Sequence, residues 1–583
     1  MASNGTGDSY DVIIIGAGLA GLTLARHLLL YTDSSILLLD KRQAPSQRSQ
    51  KVGESLVQLS GYYMSKVLDL EEHLLRGHYL KYNLRFFWKT AGRENRSIED
   101  YSASYPRLLS NIATFQLDRN LLESHLLSVN QADARLTFLG GVRDLVVDLS
   151  ETDGPHRVSF NGAHRYSRWV VDASGRGSVL KRRLSLAEDS PIRHGASWCW
   201  VNGLVNVEKL TGKTPTQIRL DPRRRQLGSF PPFLATSHFC GEGCWFWVIP
   251  LHGKTSLGLV YDRAVVPERE VAPARKLIEY VCREWPVFAG DLPHRTILDE
   301  SRFLDYAYSA TRSISSTRWA LTGEAGRFTD PLYSPGSDLI AIYNTLIVDA
   351  IQTRDAAVLE RKCALYETIM RTVYQAYVPS YAISYDCLGD QEAFTLKYAW
   401  ELSVYFGFYV MPFINDLFTD ASFMQTFLAR FAVLGRMNDN LQHFLSGFFR
   451  WKQSQPPARR EPQNIEFYDV GCLRGSERLF YNIGISPEDA LDALDRHLSA
   501  LEEFARYILA HVHAVVLGDR RVLLNRPFVS GLRLQRTVFD EGAMRAAYAP
   551  YAGADATYPW SLNPWALDAF LPMNEAAGET VPL

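Results

Sequence analysis

The sequence predicts an α/β architecture: a parallel-sheet domain with interleaved strands of a second, β-sheet domain, then a mostly α-helical C-terminal region. Three observations predict it. Residues 10–15 (YDVIII) are a continuous apolar run, the pattern of a strand buried on both faces of a parallel sheet. Two further strand-then-glycine-turn segments follow far along the chain, at 170–178 and 319–326. From about residue 357 the pattern turns helical, as in LERKCALYETIMRTVYQAYV.

Each element can be justified in order. The first apolar run leads into Gly16-Ala17-Gly18-Leu19-Ala20-Gly21 and then LTLARHLLL at helical period. Strand, glycine turn and helix together form a dinucleotide site. Gly16 permits the tight turn, Gly18 lets backbone approach a pyrophosphate, and Gly21 lets helix pack on strand. The helix start, Leu19 and Ala20, faces the phosphates. The next strand, SSILLLD, ends at Asp40, 19 residues past Gly21, where an acid holds ribose hydroxyls. Lys41 and Arg42 follow it in the same binding set, and Asp40 argues for an adenosine ribose without a 2′-phosphate. The run VVDASGRGS ends a strand at Asp172 and turns through Gly175; WALTGEAG ends another and turns through Gly323 and Glu324. No second GxGxxG follows a strand, so a dedicated nicotinamide domain is not visible.

These segments divide the chain into 1–355, with the nucleotide motifs at 11–40, 170–178 and 319–340, and a helical region at 356–583. Substrate-domain strands are interleaved at about 78–115 and 190–310. Linker-like composition lies at 453–463 (QSQPPARREPQ). Aromatic density at 399–451 reads as helical core or as a hydrophobic tunnel, whose exposed rings could meet a membrane or a carrier protein. The chain has 583 residues, 46% hydrophobic and 22% charged, ordinary for a globular protein. A net charge of −2 gives no electrostatic case for nucleic acid or an anionic membrane. Seven cysteines form no CxxC pair, and Cys240 and Cys244 lack a second pair of ligands, so reduced thiols and no metal are expected. The start, MASNGTGDSYD, lacks a basic, apolar leader, and no run of 18 apolar residues would span a bilayer. A cytoplasmic protein is expected.

The two later glycine turns, in this order, resemble those of FAD monooxygenases of the hydroxybenzoate-hydroxylase type. The resemblance implies FAD, with Asp172, Gly175, Gly323 and Glu324 beside it; Glu324 stands where that group usually has Asp. It also implies that Gln116 and Arg119 of Gln116-Leu117-Asp118-Arg119 touch FAD.

A second resemblance is narrower. In Trp245-Phe246-Trp247-Val248-Ile249-Pro250, strand alternation puts both indoles on one face, and Pro250 is expected to end the ladder. This WxWxIP run resembles the signature of flavin-dependent halogenases, where the indole wall separates substrate from flavin. Three more segments match that family. Lys51-Val52-Gly53-Glu54-Ser55-Leu56 resembles a VGES-like turn against the flavin, which implies that Val52 contacts the cofactor and that Glu54 and Ser55 link the flavin and substrate sites. In Lys81-Tyr82-Asn83-Leu84-Arg85-Phe86-Phe87-Trp88, Lys81 lies seven residues before Trp88, the family spacing of its essential lysine. Asn83 and Leu84 depart from the usual small pair. Alternation from Lys81 to Trp88 reads as a half-buried strand with Phe87 on the substrate side. Finally, Phe328-Thr329-Asp330-Pro331-Leu332-Tyr333-Ser334-Pro335-Gly336 resembles the FxxPxxSxG motif, with a helix expected from Ser337. The resemblance implies that Pro331, Gly336 and Ser337 meet the flavin, and that Ser334, Pro335 and Gly336, with Trp245, Trp247 and Pro250, form the halide site and channel. Two departures matter. Pro335 lacks the N–H that relatives direct at halide. Tyr333 stands where tryptophan halogenases carry glutamate beside their substrate, which disfavours free tryptophan.

The resemblance therefore implies an FADH2- and O2-dependent halogenase of the phenol/pyrrole type. It would make HOX from chloride or bromide at the flavin and deliver it through Lys81 to a phenol, resorcinol or pyrrole, free, long-chain or carrier-bound. A separate NADH-dependent flavin reductase would supply reduced flavin. Two alternatives stay open: a flavin monooxygenase that hydroxylates or epoxidises without halide, and a flavin dehydrogenase or reductase of a lipid-like substrate. Lysine suits halogen delivery because an ammonium can hydrogen-bond HOX and assist loss of hydroxide, while a neutral amine can form a haloamine.

Overall fold

A computed structural model describes residues 9–44, 51–107, 109–221, 231–456, 461–534, 538–553, 557–563 and 565–571. The N-terminal residues 1–8 and the middle of the linker-like stretch, 457–460, lie outside the described residues.

Five parallel strands form the body of the first sheet, in the order Trp319–Leu321, Ala163–Asp172, Ser9–Ile15, Ile36–Leu39 and Leu136–Leu139. Val12 and Ile14 pack with the helices Leu19–Tyr31 and Pro335–Gln352; Ile13 and Ile15 pack with Leu37, Val147 and Val158 on the other face. Both faces are covered, as the unbroken apolar run requires. Ile15 pairs with Asp172, and Asp172 with Leu321. Three strands thus end at one level, and the turns at Gly16, Gly175 and Gly323 emerge side by side in the crevice beyond their carboxyl ends.

The second sheet has eight strands, in the order Ile297–Phe303, His194–Asn202, Lys254–Asp262, Cys244–Leu251, Thr236–Gly241, Leu84–Lys89, Tyr101–Tyr105 and Asn464–Glu466. One face carries Trp198, Trp200, Trp245, Trp247 and Phe86 into a core continuous with the C-terminal helices. The other carries Phe87, Phe239, Phe246 and Leu259 against the helix Ala274–Glu284. Strand Asn464–Glu466 belongs to the C-terminal region yet pairs with Tyr101–Tyr105.

Three expectations are corrected here. Pro250 does not end its strand, which runs Cys244–Leu251, with Pro250 opposite Thr255. The neighbouring strand on its other side pairs only as far as Val248, so Pro250 lacks an N–H where the ladder needs none. The Lys81 segment is not a half-buried strand: residues 81–88 are all buried, and the strand proper is Leu84–Lys89. Asn83, at φ 58°, breaks the alternation before it begins. The helix expected from Ser337 starts at Pro335, since proline suits the first helical position, whose N–H has no intrahelical partner anyway.

Four long helices dominate the C-terminal region: Ala356–Gln375, Gln391–Tyr405, Ala421–Ser454 and Pro487–Leu517. Each opens on a side-chain cap, with Asp355, Asp390, Asp420 and Ser486 accepting from backbone N–H groups of the first turn. Phenylalanines of 399–451, among them Phe408, Phe427, Phe431, Phe444 and Phe448, are buried, and none of that segment's aromatics is among the exposed large apolar residues, so a docking surface of exposed rings is not found there. A π-turn, Phe406–Val410, follows directly on the second of these helices, a device common at functional sites. Among the described residues, no helix is long and apolar enough to cross a membrane.

Buried histidines make the fold acid-sensitive. Burial lowers His27, His156 and His497 to about 4 and His238 to about 3. Below the ordinary value of about 6.5 the unfolded chain takes up these protons and the native chain does not, so stability falls with pH down to about 4. The loss is at most about 1.4 kcal/mol per pH unit for each histidine. Thermal melts from pH 7 to 4.5 should show a steadily falling midpoint; a flat profile would contradict the assignment.

Candidate active site

The three glycine turns border a cavity at the carboxyl ends of their strands, the place where such sheets bind ligands. Its walls carry Gly18, Leu19, Ala20, Val52, Glu54, Ser55, Arg119, Gly175, Gly323 and Glu324, all singled out by sequence. The glycines have different reasons. A Cβ on Gly16 would lie 2.4 Å from the Ala173 carbonyl oxygen, and one on Gly21 would lie 1.9 Å from that of Gly16. A Cβ on Gly18 would meet nothing within 4 Å. Gly16 and Gly21 therefore serve the fold, while Gly18 keeps space free in the cavity. Arg119 donates to the Val52 carbonyl at 2.6 Å and to Glu123 at 2.6 Å, yet its buried Nε closes no hydrogen bond. Glu324 is half-buried, and desolvation there raises its pKa against the pull of Arg119, Arg176 and Lys181. An open glycine cradle, an unsatisfied guanidinium N–H and a charged floor fit a pyrophosphate-bearing flavin.

Several predicted cofactor contacts do not reach this cavity. Asp172 accepts from Ser174 N at 2.9 Å and Leu180 N at 2.7 Å, so it ties the second turn together. Gln116 is fully buried and donates to the Leu234 carbonyl and to Thr236 Oγ1; Thr236, not Gln116, lines the cavity. Asp40 accepts from Ala17 N at 2.8 Å and Arg42 N at 2.8 Å, and lies with Lys41 and Arg42 outside the walls. Pro250 is also outside, and its neighbour Ile249 lines the wall instead. These acids and amides secure the turns, a role that sequence reading cannot tell from ligand contact.

The indole wall is present. Trp245 and Trp247 both line the flavin cavity, with ring centroids 5.8 Å apart, and Trp247 Nε1 donates to Ser256 Oγ at 3.0 Å. Glu54 is held from behind by Trp200 Nε1 at 2.8 Å, and Ser55 Oγ bonds Thr236 Oγ1 at 2.9 Å.

A second cavity, of about 1050 Å³ and mostly apolar, contains Lys81, Tyr333, Pro335 and Asp338. Lys81 is 2% exposed, and its Nζ donates to the Leu56 carbonyl at 2.8 Å. Burial lowers its pKa to about 7, against the opposing pull of Asp338. Asp338 is 1% exposed and accepts from Ser60 N at 2.9 Å and Tyr405 Oη at 2.8 Å; burial raises its pKa to about 7. Sequence reading missed Asp338; an acid in the first turn of a largely apolar helix was the available signal. Phe87 is corrected: it stacks on Phe239 in the core on the far side of the sheet, and Phe86 instead approaches Tyr333.

The segment Tyr333–Asp338 joins the two cavities. Tyr333, Pro335 and Asp338 line the second; Ser334, Gly336 and Ser337, with Pro331, line the first. The turn holds two successive left-handed residues, Tyr333 at φ 68° and Ser334 at φ 59°. Such strain persists only where the surroundings fix it. Here Ser334 N donates to the Pro331 carbonyl, Leu332 N to Asp330, and Tyr381 Oη to the Leu332 carbonyl. Asp330 is in turn bonded to buried His194 at 2.6 Å. Gly336 is obligatory in a different way: a Cβ there would lie 2.4 Å from the Phe328 ring.

The fold and the cradle define an FAD-dependent flavoprotein oxidoreductase. No family model matches the chain. The flavin-dependent halogenase chlA of Dictyostelium discoideum is 26% identical over 447 residues, covering 70% of this chain and 73% of its own. The tetracycline 7-halogenase of Kitasatospora aureofaciens is 29% identical over 377 residues, 60% of this chain and 65% of its own. Among solved structures, the halogenase PltM superposes with a TM-score of 0.58 at 17% identity, covering 85% of this chain and 96% of that one. The chain is thus similar to flavin-dependent halogenases over most of its length, and it is an enzyme that uses FAD.

Proposed function

We propose that the protein is a halogenase that uses FAD, O2 and chloride or bromide to halogenate an electron-rich aromatic, a phenol, resorcinol or pyrrole, free or carrier-bound, in the second cavity. Reduced FAD, when bound, supplies the electrons that convert O2 and halide to HOX. A separate NADH-dependent flavin reductase would keep it reduced. The observation that carries this reading is the placement of buried Lys81 across the Tyr333–Asp338 segment from the flavin cavity.

In this reading the Lys81 ammonium hydrogen-bonds the oxygen of HOX and protonates the departing hydroxide as the halogen passes to carbon. The Asp338 carboxylate accepts the proton released from the ring and returns one to Lys81. The net change is aryl C–H plus HOX to aryl C–X plus water. Gly336 and Ser337 sit in the first turn of an 18-residue helix, where N–H groups lack intrahelical partners, and they line the flavin cavity. With Pro335 unable to donate, these two are the donors left to hold halide. Tyr333, in place of glutamate, favours a ring that is already activated over free tryptophan.

The test supplies protein with FAD, a flavin reductase, NADH and electron-rich phenols, with and without bromide or chloride. Products should gain halogen mass. Oxygen insertion independent of halide would favour the monooxygenase reading, for which the missing Pro335 N–H is the specific support. The pH profile offers a second check. Asp338 pulls the Lys81 pKa upward, so Asp338→Asn lowers it further. The alkaline limb of the rate profile should then move to lower pH. A limb that stays put would separate Asp338 from Lys81.

A further inference from the structure

The helix Ala421–Ser454 meets the second cavity with Phe431, Leu434, Gly435 and Asn438. Positions i, i+3, i+4 and i+7 share one helix face, so all four are directed at the cavity. They cover about 10 Å of its far wall at helical rise. A path of rings leads there from Asp338. Tyr405 bonds Asp338, Tyr409 lies 6.2 Å from Tyr405, and Phe431 lies 5.8 Å from Tyr409, centroid to centroid. Gly435 is the odd member of the stripe. Glycine is a poor helix former, and its usual reasons are a left-handed φ or a neighbour too close for a Cβ. Neither applies here: Gly435 is not among the glycines of positive φ, and a Cβ on it would meet nothing within 4 Å. Gly447, about three turns on in the same helix, is the contrast. A Cβ there would lie 2.6 Å from the Phe539 Cβ, so packing explains it. Phe431, Leu434 and Asn438 around Gly435 are buried, so its open space belongs to the cavity. That space is apolar. Asn438 is already engaged: its Oδ1 accepts from Trp400 Nε1 and Gln442 Nε2, and its Nδ2 donates to the Ala376 carbonyl.

We infer that Gly435 is a specificity-determining residue: it keeps open a subsite on the far wall of the second cavity, and that subsite receives a hydrocarbon substituent of the aromatic substrate. This rests on the reading that the second cavity takes that substrate. It adds a criterion the ring chemistry does not contain, since the subsite reads the length of the substituent and is indifferent to the polar groups of the ring. A side chain at 435 would occupy the space from within the helix and leave Lys81 and Asp338 untouched. Apolar pockets discriminate by size in small steps, one methylene at a time.

The experiment measures binding alone, by calorimetry on FAD-loaded enzyme without halide or reductant, so that it is independent of whether halogenation occurs. The probes are 3-methylphenol and 3-pentylphenol, which differ only in chain length. Each buried methylene is worth about fourfold in affinity, so wild type should prefer the pentyl probe by about tenfold or more. Gly435→Leu should cut that preference to within about threefold and leave affinity for 3-methylphenol within about threefold of wild type. Gly435→Ala should raise the melting midpoint, because alanine is the better helix former and its Cβ meets no protein atom; a lowered midpoint would contradict the open space. If Gly435→Leu fails to fold, Gly435→Met, with a flexible chain that fits irregular gaps, decides by the same readout. Equal affinity of wild type for both probes, or an undiminished preference in the folded variant, would overturn the subsite alone. Failure of wild type to bind either probe would overturn the reading of this cavity as the aromatic site, and the subsite with it.

Discussion

Lys81→Met should abolish halogen incorporation, by about a thousandfold or more, while leaving FAD binding and NADH-driven O2 consumption intact. Methionine keeps the length and apolar stem of lysine and suits a site that is 98% buried from solvent in effect, since Lys81 is only 2% exposed. The structural loss is one hydrogen bond, to the Leu56 carbonyl, on the order of 1–3 kcal/mol for a buried acceptor left unpaired. That is offset in part because a buried amine no longer needs to be desolvated. The chemical loss is total in the proposed reading, since no other lysine lines the second cavity among the described residues. Lys81→Arg is the sharper control. A guanidinium donates hydrogen bonds but cannot become a neutral amine. Activity retained by Arg would argue for hydrogen-bonded HOX over a haloamine. Mass spectrometry of products with bromide reads both variants, and full halogenation by Lys81→Met would sink the assignment.

The second large effect separates two glycines of one motif. Gly18→Val should fold and lose FAD; Gly21→Val should not fold. Gly18 has ordinary extended backbone, φ −89° and ψ −172°, and open space where a Cβ would go. A Cβ there meets no protein atom within 4 Å and projects into what occupies the cavity, so FAD affinity should fall about a hundredfold or more if a near contact with the pyrophosphate is lost. Gly21 is different because the obstacle is backbone: a Cβ 1.9 Å from the Gly16 carbonyl cannot be accommodated by a rotamer change. The helix Leu19–Tyr31 would lift from the sheet. Circular dichroism and the visible absorbance of bound flavin distinguish the outcomes. Normal flavin retention in Gly18→Val would count against this cavity as the FAD site.

The glycine turns were legible because each follows a strand whose residues are apolar throughout, and parallel register then aligns the strand ends without further instruction. The site residues were legible to unequal degrees. Lys81 and the Tyr333–Ser337 turn stood out only through their resemblance to the halogenase motifs. Phe87 was assigned to the wrong face because strand parity was counted from Lys81, and the left-handed Asn83 resets that count. Asp172 and Gln116 were harder to read for another reason: an acid or amide beside a glycine turn has protein donors and acceptors of its own to satisfy, and here both do so. Asp338 was missed since it lies on a helix whose other buried positions are largely apolar or aromatic. Its significance depends on which elements face it, and that information resides in tertiary packing.

The strained pair at Tyr333 and Ser334 has a consequence for how such an enzyme can be changed. The two chambers share a partition one residue thick, and adjacent side chains on it belong to opposite rooms. In the proposed reading, substrate preference and halide handling are therefore not independent traits. A replacement at Tyr333 that reshapes the aromatic chamber also resets the backbone that aims Ser334 and the first helical amides. Efforts to retarget the enzyme should progress faster on the far wall, around Leu402, Phe431 and Leu434, where side chains line the aromatic chamber without belonging to the partition.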